Sequence, residues 1–189
     1  MTKELSVILT FKRLRALNLS RSSLKMLPDL VGKLKHLRYL DLSWCVKLAR
    51  LPKSVGNLVN LQTLKLTGCE TLEFSTEVAT KLINLRHLEI HRCKAFEDMM
   101  PAGFRKLSSL QSLSNVYMVD DRKKKKKVGK LNELQNLNSL RGNLEINRLD
   151  QVKDVKLESR DVNLQGKKLI VSLDLIGKIR TKHRTACNF

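Results

Sequence analysis

Aromatic residues are scarce in this chain, where they make up 4% of 189 residues and include a single tryptophan. Because 42% of the chain is nonetheless hydrophobic, a buried core has to be built mainly from leucine, valine and isoleucine. Long apolar runs are missing too, and none reaches the roughly 18 residues of a membrane-spanning helix. Residues 1–11 show no apolar stretch that ends in a small-residue cleavage site. We therefore expect an intracellular protein, cytoplasmic or alternatively nuclear, without a membrane partner.

Acidic residues are also few, 18 against 37 lysines and arginines, which gives a formal net charge of +19. Such a charge is typical of proteins that bind nucleic acid or anionic membranes. Its distribution weakens that interpretation, because segments 122–130 and 177–189 carry many of the basic residues and no acid. The lysine run has no interleaved aromatic residues on which bases could stack, so we do not predict nucleic-acid binding as the main function.

A leucine spacing recurs along the chain and organises it. Residues 37–45 read LRYLDLSWC, the pattern LxxLxLxxC, which returns at 61–69 and at 85–93. The same spacing starts earlier at Leu14 and later at Leu110. Self-similarity at a period of roughly 24 residues is the signature of a leucine-rich-repeat solenoid. The predicted fold is an α/β solenoid, a curved horseshoe with a parallel β-sheet on its concave face and irregular or short helical segments on its convex side.

Within each repeat, LxxLxL predicts a short parallel strand whose second and third apolar residues point inward. The residues beside them then face solvent on the concave side. We predict that the partner contacts lie on this side; they are Tyr39, Asp41, Trp44, Thr63, Lys65, His87, Glu89 and His91. The alternation places four more residues on the same side, Ala16, Asn18, Ser112 and Ser114. We call these eight contacts the concave surface. Tyrosine and tryptophan are enriched at binding hot spots, although Trp44 could instead fold over a neighbouring loop.

Three of only four cysteines, Cys45, Cys69 and Cys93, close successive strand motifs. They lack the close pairs that zinc sites use, and neighbours should lie roughly 4.8 Å apart along the sheet. We interpret them as a ladder of small buried thiols, with metal or disulfide chemistry as the alternative. The histidine pair His87 and His91 belongs to no HExxH motif. We therefore predict no catalytic residue, no metal site and no cofactor.

On the outer side of each repeat, Pro28 and Pro52 suit irregular structure because proline cannot donate to a strand ladder. Gly32 and Gly56 are expected to relax a turn there.

The pattern divides the chain into five segments. They are a lead-in, the regular repeats, a basic loop, divergent repeats and a disordered basic tail, at residues 1–13, 14–119, 120–130, 131–176 and 177–189. In the lead-in, Leu5, Val7, Leu9 and Phe11 alternate as an edge strand would. In the divergent repeats, we predict that Gly142 turns the chain into a strand at 144–146, and that residues 170–175 form a last strand.

The basic loop contains an uninterrupted run of Arg122, Lys123, Lys124, Lys125, Lys126 and Lys127. It fits three interpretations: a solvated flexible loop, a nuclear-import patch, or an electrostatic contact with an acidic partner domain.

The blocks LRYLDLSWCVKLARLPKSVGNLVNLQTLKLTGCETL and KLINLRHLEIHRCKAF resemble the repeat region of plant intracellular immune receptors. These are the coiled-coil, nucleotide-binding, leucine-rich-repeat disease-resistance proteins. The later blocks LNELQNLNSLRGNLEINRLDQVKDV and DVNLQGKKLIVSLDL are similar to the same region. The resemblance implies a non-catalytic module that recognises a pathogen effector or a guarded host protein and contacts a nucleotide-binding domain.

Two features of such receptors are missing from this sequence: the GxxxxGK[ST] phosphate loop and a preceding coiled coil. We therefore expect a fragment or truncated form of a receptor. The alternative function is a basic nucleic-acid-associated or nuclear scaffold that uses the lysine loop, and its binding would weaken steeply with salt.

Overall fold

The computed structural model describes residues 7–73, 75–93, 103–114, 116–117, 131–147 and 167–176. Two predictions fall outside these residues: the basic loop and the disordered tail. Within the described part of the chain, no helix has the length and apolarity to cross a membrane.

Parallel strands run along the chain in sequence order, as the repeat spacing predicts. The first sheet contains β1 (Ala16–Asn18), β2 (Tyr39–Asp41), β3 (Thr63–Lys65), β4 (His87–Glu89) and β5 (Ser112–Leu113). The second sheet contains β6 (Val116–Tyr117), β7 (Arg141–Asn147) and β8 (Leu169–Ile176), and every strand pair is parallel.

The register places equivalent repeat positions side by side. Leu40 lies between Leu17 and Leu64, and Leu64 in turn pairs with Leu88. Leu40 and Leu64 are fully buried, while the flanking Lys65 remains partly exposed. The predicted inward direction of the second and third apolar residues is therefore confirmed for β1 to β4, apart from Leu19, which is only half-buried, and for Leu113 of β5.

Short helical segments cover the outer side of the repeats. They are 3₁₀ helices at Asp29–Lys33, Lys53–Asn57, Phe104–Lys106 and Leu131–Leu134, and one α-helical turn, α1, at Thr76–Ala79. Pro28 and Pro52 stand directly before two of them with φ of −63° and −65°. Proline is suited to this place, because its fixed φ is preorganised for a helix start and its missing N–H is not needed there.

The prediction that Gly32 and Gly56 relax a turn is wrong. Both are buried inside 3₁₀ helices, and neither has a positive φ. A Cβ on Gly32 would lie 2.6 Å from the Ser54 carbonyl oxygen of the next repeat, and one on Gly56 would lie 2.8 Å from Lys81 Cδ. Glycine is needed at position 32 because the backbone of the next outer helix stands too close for a side chain, whereas at position 56 an added Cβ would displace the Lys81 side chain.

The edge strand predicted for the lead-in is also wrong over its described part. Residues 7–11 form helical turns, in which the amide of Thr10 donates to Val7 O at 3.0 Å and that of Phe11 to Ile8 O at 3.1 Å. Only Leu9 is buried, whereas Val7 and Phe11 are 62% and 60% exposed. A turn satisfies its backbone donors locally, so this segment docks through one leucine instead of an alternating face.

In the divergent repeats, the strand predicted at 144–146 is confirmed within β7, but Gly142 makes no turn before it. Gly142 lies inside β7 with φ of 76°, next to a register shift in the pairing with β8. The extra residue at this shift lies in β8, because Gly142 pairs with Ile170 and the next residue, Asn143, pairs with Ser172, which is the arrangement of a β-bulge. The amide of Arg141 donates to Gln111 O at 2.9 Å, so β7 continues the hydrogen-bond ladder of the first sheet.

The last predicted strand is present as β8, but its side chains are less buried than the LxxLxL pattern predicts. Leu173 is 37% exposed and Val171 is 86% exposed. Among the described residues β8 pairs with β7 alone, so in this part of the chain no further strand covers its second side.

Candidate protein-interaction surface

The outward residues of successive strands form two parallel rows. The register aligns Tyr39, Thr63 and His87 in one row and Asp41, Lys65 and Glu89 in the other. Neighbours within a row are separated by one strand spacing, about 4.8 Å. The structure therefore brings six of the eight predicted contacts onto one continuous face, and Ser112 extends the first row by pairing with His87.

The second row alternates in charge. Lys65 Nζ and Glu89 Oε1 are 3.0 Å apart, and their side chains are 29% and 43% exposed. The hydrogen bond to Glu89 is the main reason that the pKa of Lys65 is raised above its usual value. An ion pair this exposed contributes at most about 1 kcal/mol to folding, so its main effect is to fix where the two charges point.

Tyr39 and Asp41 lie on the same face of β2 and are joined by a side-chain hydrogen bond. The hydroxyl of Tyr39 donates to Asp41 Oδ2 at 3.0 Å, and the backbone amide of Ser43 donates to Asp41 Oδ1 at 2.8 Å. Asp41 is only 8% exposed. Burial, followed by the bond to Asp41, raises the pKa of Tyr39. The phenol ring is thus held in one orientation, while part of it still faces solvent.

Polar side chains also link the next two strands. His87 Nδ1 lies 2.9 Å from Ser112 Oγ, and the amide of Ile90 donates to Ser114 Oγ at 2.9 Å. His91 follows the strand and is exposed, whereas His87 is half-buried in the row. The described residues contain no cluster of three or more histidine, cysteine or acidic side chains suited to a metal ion.

Trp44 packs against the next repeat and is also 39% exposed. A Cβ on Gly68 would lie 2.6 Å from Trp44 Cε3, so the indole rests directly on the Gly68 backbone. The two interpretations of Trp44 from the sequence therefore both describe part of its environment, because it folds over a neighbouring turn and still presents ring surface to solvent beside the rows.

A conformational feature that the sequence analysis missed occurs at the end of each strand motif. The residue that precedes Ser22, and the residue that precedes each of the three buried cysteines, has a positive φ. The φ values are 57° at Arg21, 62° at Trp44, 73° at Gly68 and 53° at Arg92. Left-handed backbone of this kind is uncommon outside glycine. Only Gly68 gives a sequence signal for it, since the other three positions carry residues that normally avoid this region.

The cysteines form the predicted buried ladder. Cys45, Cys69 and Cys93 are free and buried. The thiol of Cys45 donates to Leu19 O at 3.2 Å and that of Cys69 to Leu42 O at 3.1 Å, so each bonds the carbonyl of the repeat before it. Burial raises the pKa of Cys69 to about 11. These two thiols therefore link adjacent repeats.

Comparison with known proteins agrees with this geometry. A family model described as a leucine-rich repeat region matches residues 1–183. A protein of Solanum bulbocastanum named disease resistance protein RGA1 is 52% identical over 179 residues, which are 95% of this chain and 17% of that protein. The chain therefore spans less than a fifth of that relative's length.

Solved structures share the fold. A leucine-rich-repeat protein of Leptospira interrogans has a TM-score of 0.57 at 25% identity, covering 88% of this chain and 41% of its own. The plant peptide hormone receptor RGFR1, in complex with RGF2, has a TM-score of 0.61 at 23% identity, covering 89% and 25% of the two chains. The chain belongs to the leucine-rich-repeat family, as a repeat region of the plant disease-resistance protein class.

Proposed function

We propose that this chain is a non-catalytic recognition module of a plant innate-immune receptor, which binds a pathogen-derived or guarded host protein through the concave surface. The observation that carries the proposal is that two aromatic side chains, Tyr39 and Trp44, are partly exposed beside regularly spaced polar residues of one face. Extended surfaces made by stacked repeats are the parts of solenoids that bind partners.

Both aromatic anchors are held in place before a partner arrives. Tyr39 is bonded to Asp41, and the indole of Trp44 is supported by Gly68. A side chain that is already immobile loses little conformational entropy on binding, so its contact area contributes more to affinity. The ordered Lys65–Glu89 pair beside them would select partners by charge and orientation more than by raw affinity.

In the same proposal, the module contacts the nucleotide-binding domain of its receptor class and acts in the cytoplasm, with a nuclear location as the alternative. The support is the 52% identity to a protein named as a disease-resistance protein, together with the sequence blocks that resemble such receptors. A co-expression assay with the nucleotide-binding domain of a coiled-coil disease-resistance receptor tests the contact: co-purification supports it, and separate elution at physiological salt contradicts it.

A second candidate function follows from the net charge of +19. A nucleic-acid scaffold would use the lysine run, and its affinity for a random DNA duplex would fall steeply between low and physiological salt. Salt-insensitive binding of a protein partner would argue against this candidate.

Site-specific cross-linking tests the recognition role. A photoreactive residue is placed at Thr63, within the rows, or at Arg50, which is exposed on the outer side, and each protein is irradiated in extracts of infected plant tissue. We expect a discrete protein adduct from position 63 that is absent at position 50 and is lost when Trp44→Ala is added. The same adducts from both positions would contradict the proposal.

A further inference from the structure

Arginines recur at one rim of the first sheet, at the position directly before each strand or at its first residue. From Arg38 onward, the backbone amide at each of these positions donates to the carbonyl of the equivalent position one repeat earlier, at 2.7 to 2.9 Å. This continuous chain of hydrogen bonds passes through six residues, which we call the arginine ladder: Arg15, Arg38, Gln62, Arg86, Gln111 and Arg141.

The ladder presents charge at fixed intervals. Adjacent positions are about 4.8 Å apart, so Arg15 and Arg38 are neighbours, while Arg38 and Arg86 are separated by about 9.6 Å across Gln62. All four arginines are exposed. The backbone of Arg38 and Arg86 is held by a ladder hydrogen bond on each side, and that of Arg15 and Arg141 by one. The guanidinium groups therefore extend from a rigid backbone.

Nearby acids do not neutralise the ladder. Asp41 is buried and bonded to Tyr39 and Ser43, and Glu89 is paired with Lys65. In the described part of the chain, no ion pair reaches Arg15, Arg38 or Arg86. Arg141 donates to Gln111 Oε1, which directs its guanidinium along the ladder.

We propose that the arginine ladder docks an acidic α-helix of a separate protein. Guanidinium groups bind carboxylates in a planar, bidentate manner that lysine cannot reproduce. A helix rises about 1.5 Å per residue, so glutamates at i and i+3 are about 4.5 Å apart and match Arg15 and Arg38. A third glutamate at i+10 is about 15 Å from the first, close to the three ladder spacings, about 14 Å, between Arg15 and Arg86.

Two other anionic ligands fit less well. In an extended peptide, side chains on one face are about 6.6 Å apart, which does not match the ladder spacing of about 4.8 Å. Single-stranded nucleic acid normally uses aromatic side chains for base stacking, and none of the six ladder residues is aromatic. The ladder adjoins the concave surface, since Arg38 directly precedes Tyr39, but it contains none of the eight contacts. Loss of peptide binding in the ladder variant and loss of the cross-link at position 63 are therefore separate outcomes.

Fluorescence anisotropy with the full chain tests the site at about 0.15 M salt, where charges more than about 8 Å apart are largely screened. The probe is a stapled, alanine-rich helical peptide with glutamates at i, i+3 and i+10. Its isomer has the same composition with glutamates at i, i+5 and i+10, which point to three different faces. The protein variants are Arg38→Gln with Arg86→Gln, and a control, Lys25→Gln with Lys47→Gln, which removes the same charge from exposed outer positions.

We expect the ladder double variant to weaken binding of the matched peptide about tenfold, with less than about a twofold change in the control variant. The matched peptide should also bind more tightly than its isomer. Equal weakening in the two variants, or equal affinity for the two peptides, would show mere long-range attraction and overturn the proposal. A thymidine oligonucleotide of equal charge that binds more tightly and loses more affinity in the ladder variant would overturn it too.

Discussion

The indole of Trp44 lies on the backbone of Gly68, so closely that a Cβ at position 68 would stand 2.6 Å from Cε3 of the ring. Each of the two residues has a positive φ, 62° and 73°. The left-handed turn at Trp44 directs its side chain toward the following repeat, and the missing side chain at Gly68 leaves room for it. One aromatic residue of the concave surface therefore depends on a glycine in the next repeat.

A substitution at Gly68 should move the tryptophan. Gly68→Ala places a methyl group against the ring and also strains the backbone by about 1–2 kcal/mol. We expect a change in Trp44 fluorescence emission and a lower melting temperature. Gly142→Ala is the matched control, because Gly142 has a similar φ of 76° but no atom within 4 Å of an added Cβ. It should destabilise the fold to a similar extent and leave the emission unchanged; an equal emission shift in both variants would contradict the contact.

The two faces of a strand should respond oppositely to substitution. Leu64→Asp puts a carboxylate where the native side chain is fully buried, which costs several kcal/mol, so the central repeats should unfold. Lys65→Ala removes one exposed ion pair and should cost less than about 1 kcal/mol. Thermal melting followed by circular dichroism distinguishes them. Indistinguishable melting curves would mean that the register of β3 is wrong.

Stability should fall at alkaline pH in a way that depends on Cys69. Burial raises the pKa of this thiol from 9.0 to about 11, so above pH 9 the unfolded chain releases a proton that the folded chain keeps. The stability gained from the protonated thiol is therefore complete below pH 9 and is lost as the pH rises toward 11. Urea unfolding at pH 8 and pH 10 should show a larger drop for the native protein than for Cys69→Ala. An equal drop in both would show that Cys69 does not contribute to the pH dependence.

Hydrogen exchange should separate the two sheets. Leu40 and Leu64 are fully buried between paired strands on both sides, whereas β8 pairs with β7 alone among the described residues and leaves Leu173 37% exposed. Poorly packed edge elements open more readily than central ones. We expect slow exchange at Leu40 and Leu64, intermediate exchange at Leu144 and fast exchange at Leu173. Uniform protection would contradict this order.

Much of the fold is predictable from leucine spacing alone. The interval from Leu40 to Leu64 to Leu88 determines strand pairing, and a side-chain period of two then decides that Lys65 faces outward and Leu64 inward. Because both rows of the concave surface follow from this alternation, most of the candidate site was accessible from the sequence.

Other features could not be predicted because their causes lie in contacts between repeats. Gly32 is required by the close approach of Ser54, which involves a residue one repeat later. The left-handed turns at Arg21, Trp44 and Arg92 contradict local preference. Backbone hydrogen bonds between successive turns hold them, such as those from the Arg21 amide to Ser43 O and from the Trp44 amide to Thr67 O, both at 2.7 Å. The arginine ladder does not follow from the strand alternation, because five of its residues precede their strands and Arg141 only begins one.

The most direct test of the concave surface as a recognition site compares two exposed apolar residues of the same turn. The partner that cross-links at position 63 is titrated by calorimetry against the native chain, Trp44→Ala and Val46→Ala, since Trp44 and Val46 are 39% and 44% exposed. A hot-spot tryptophan is worth about 2 kcal/mol or more, so we predict that Trp44→Ala weakens binding about 30-fold and that Val46→Ala changes it less than about twofold. Equal affinities for the native chain and Trp44→Ala would contradict recognition through this surface.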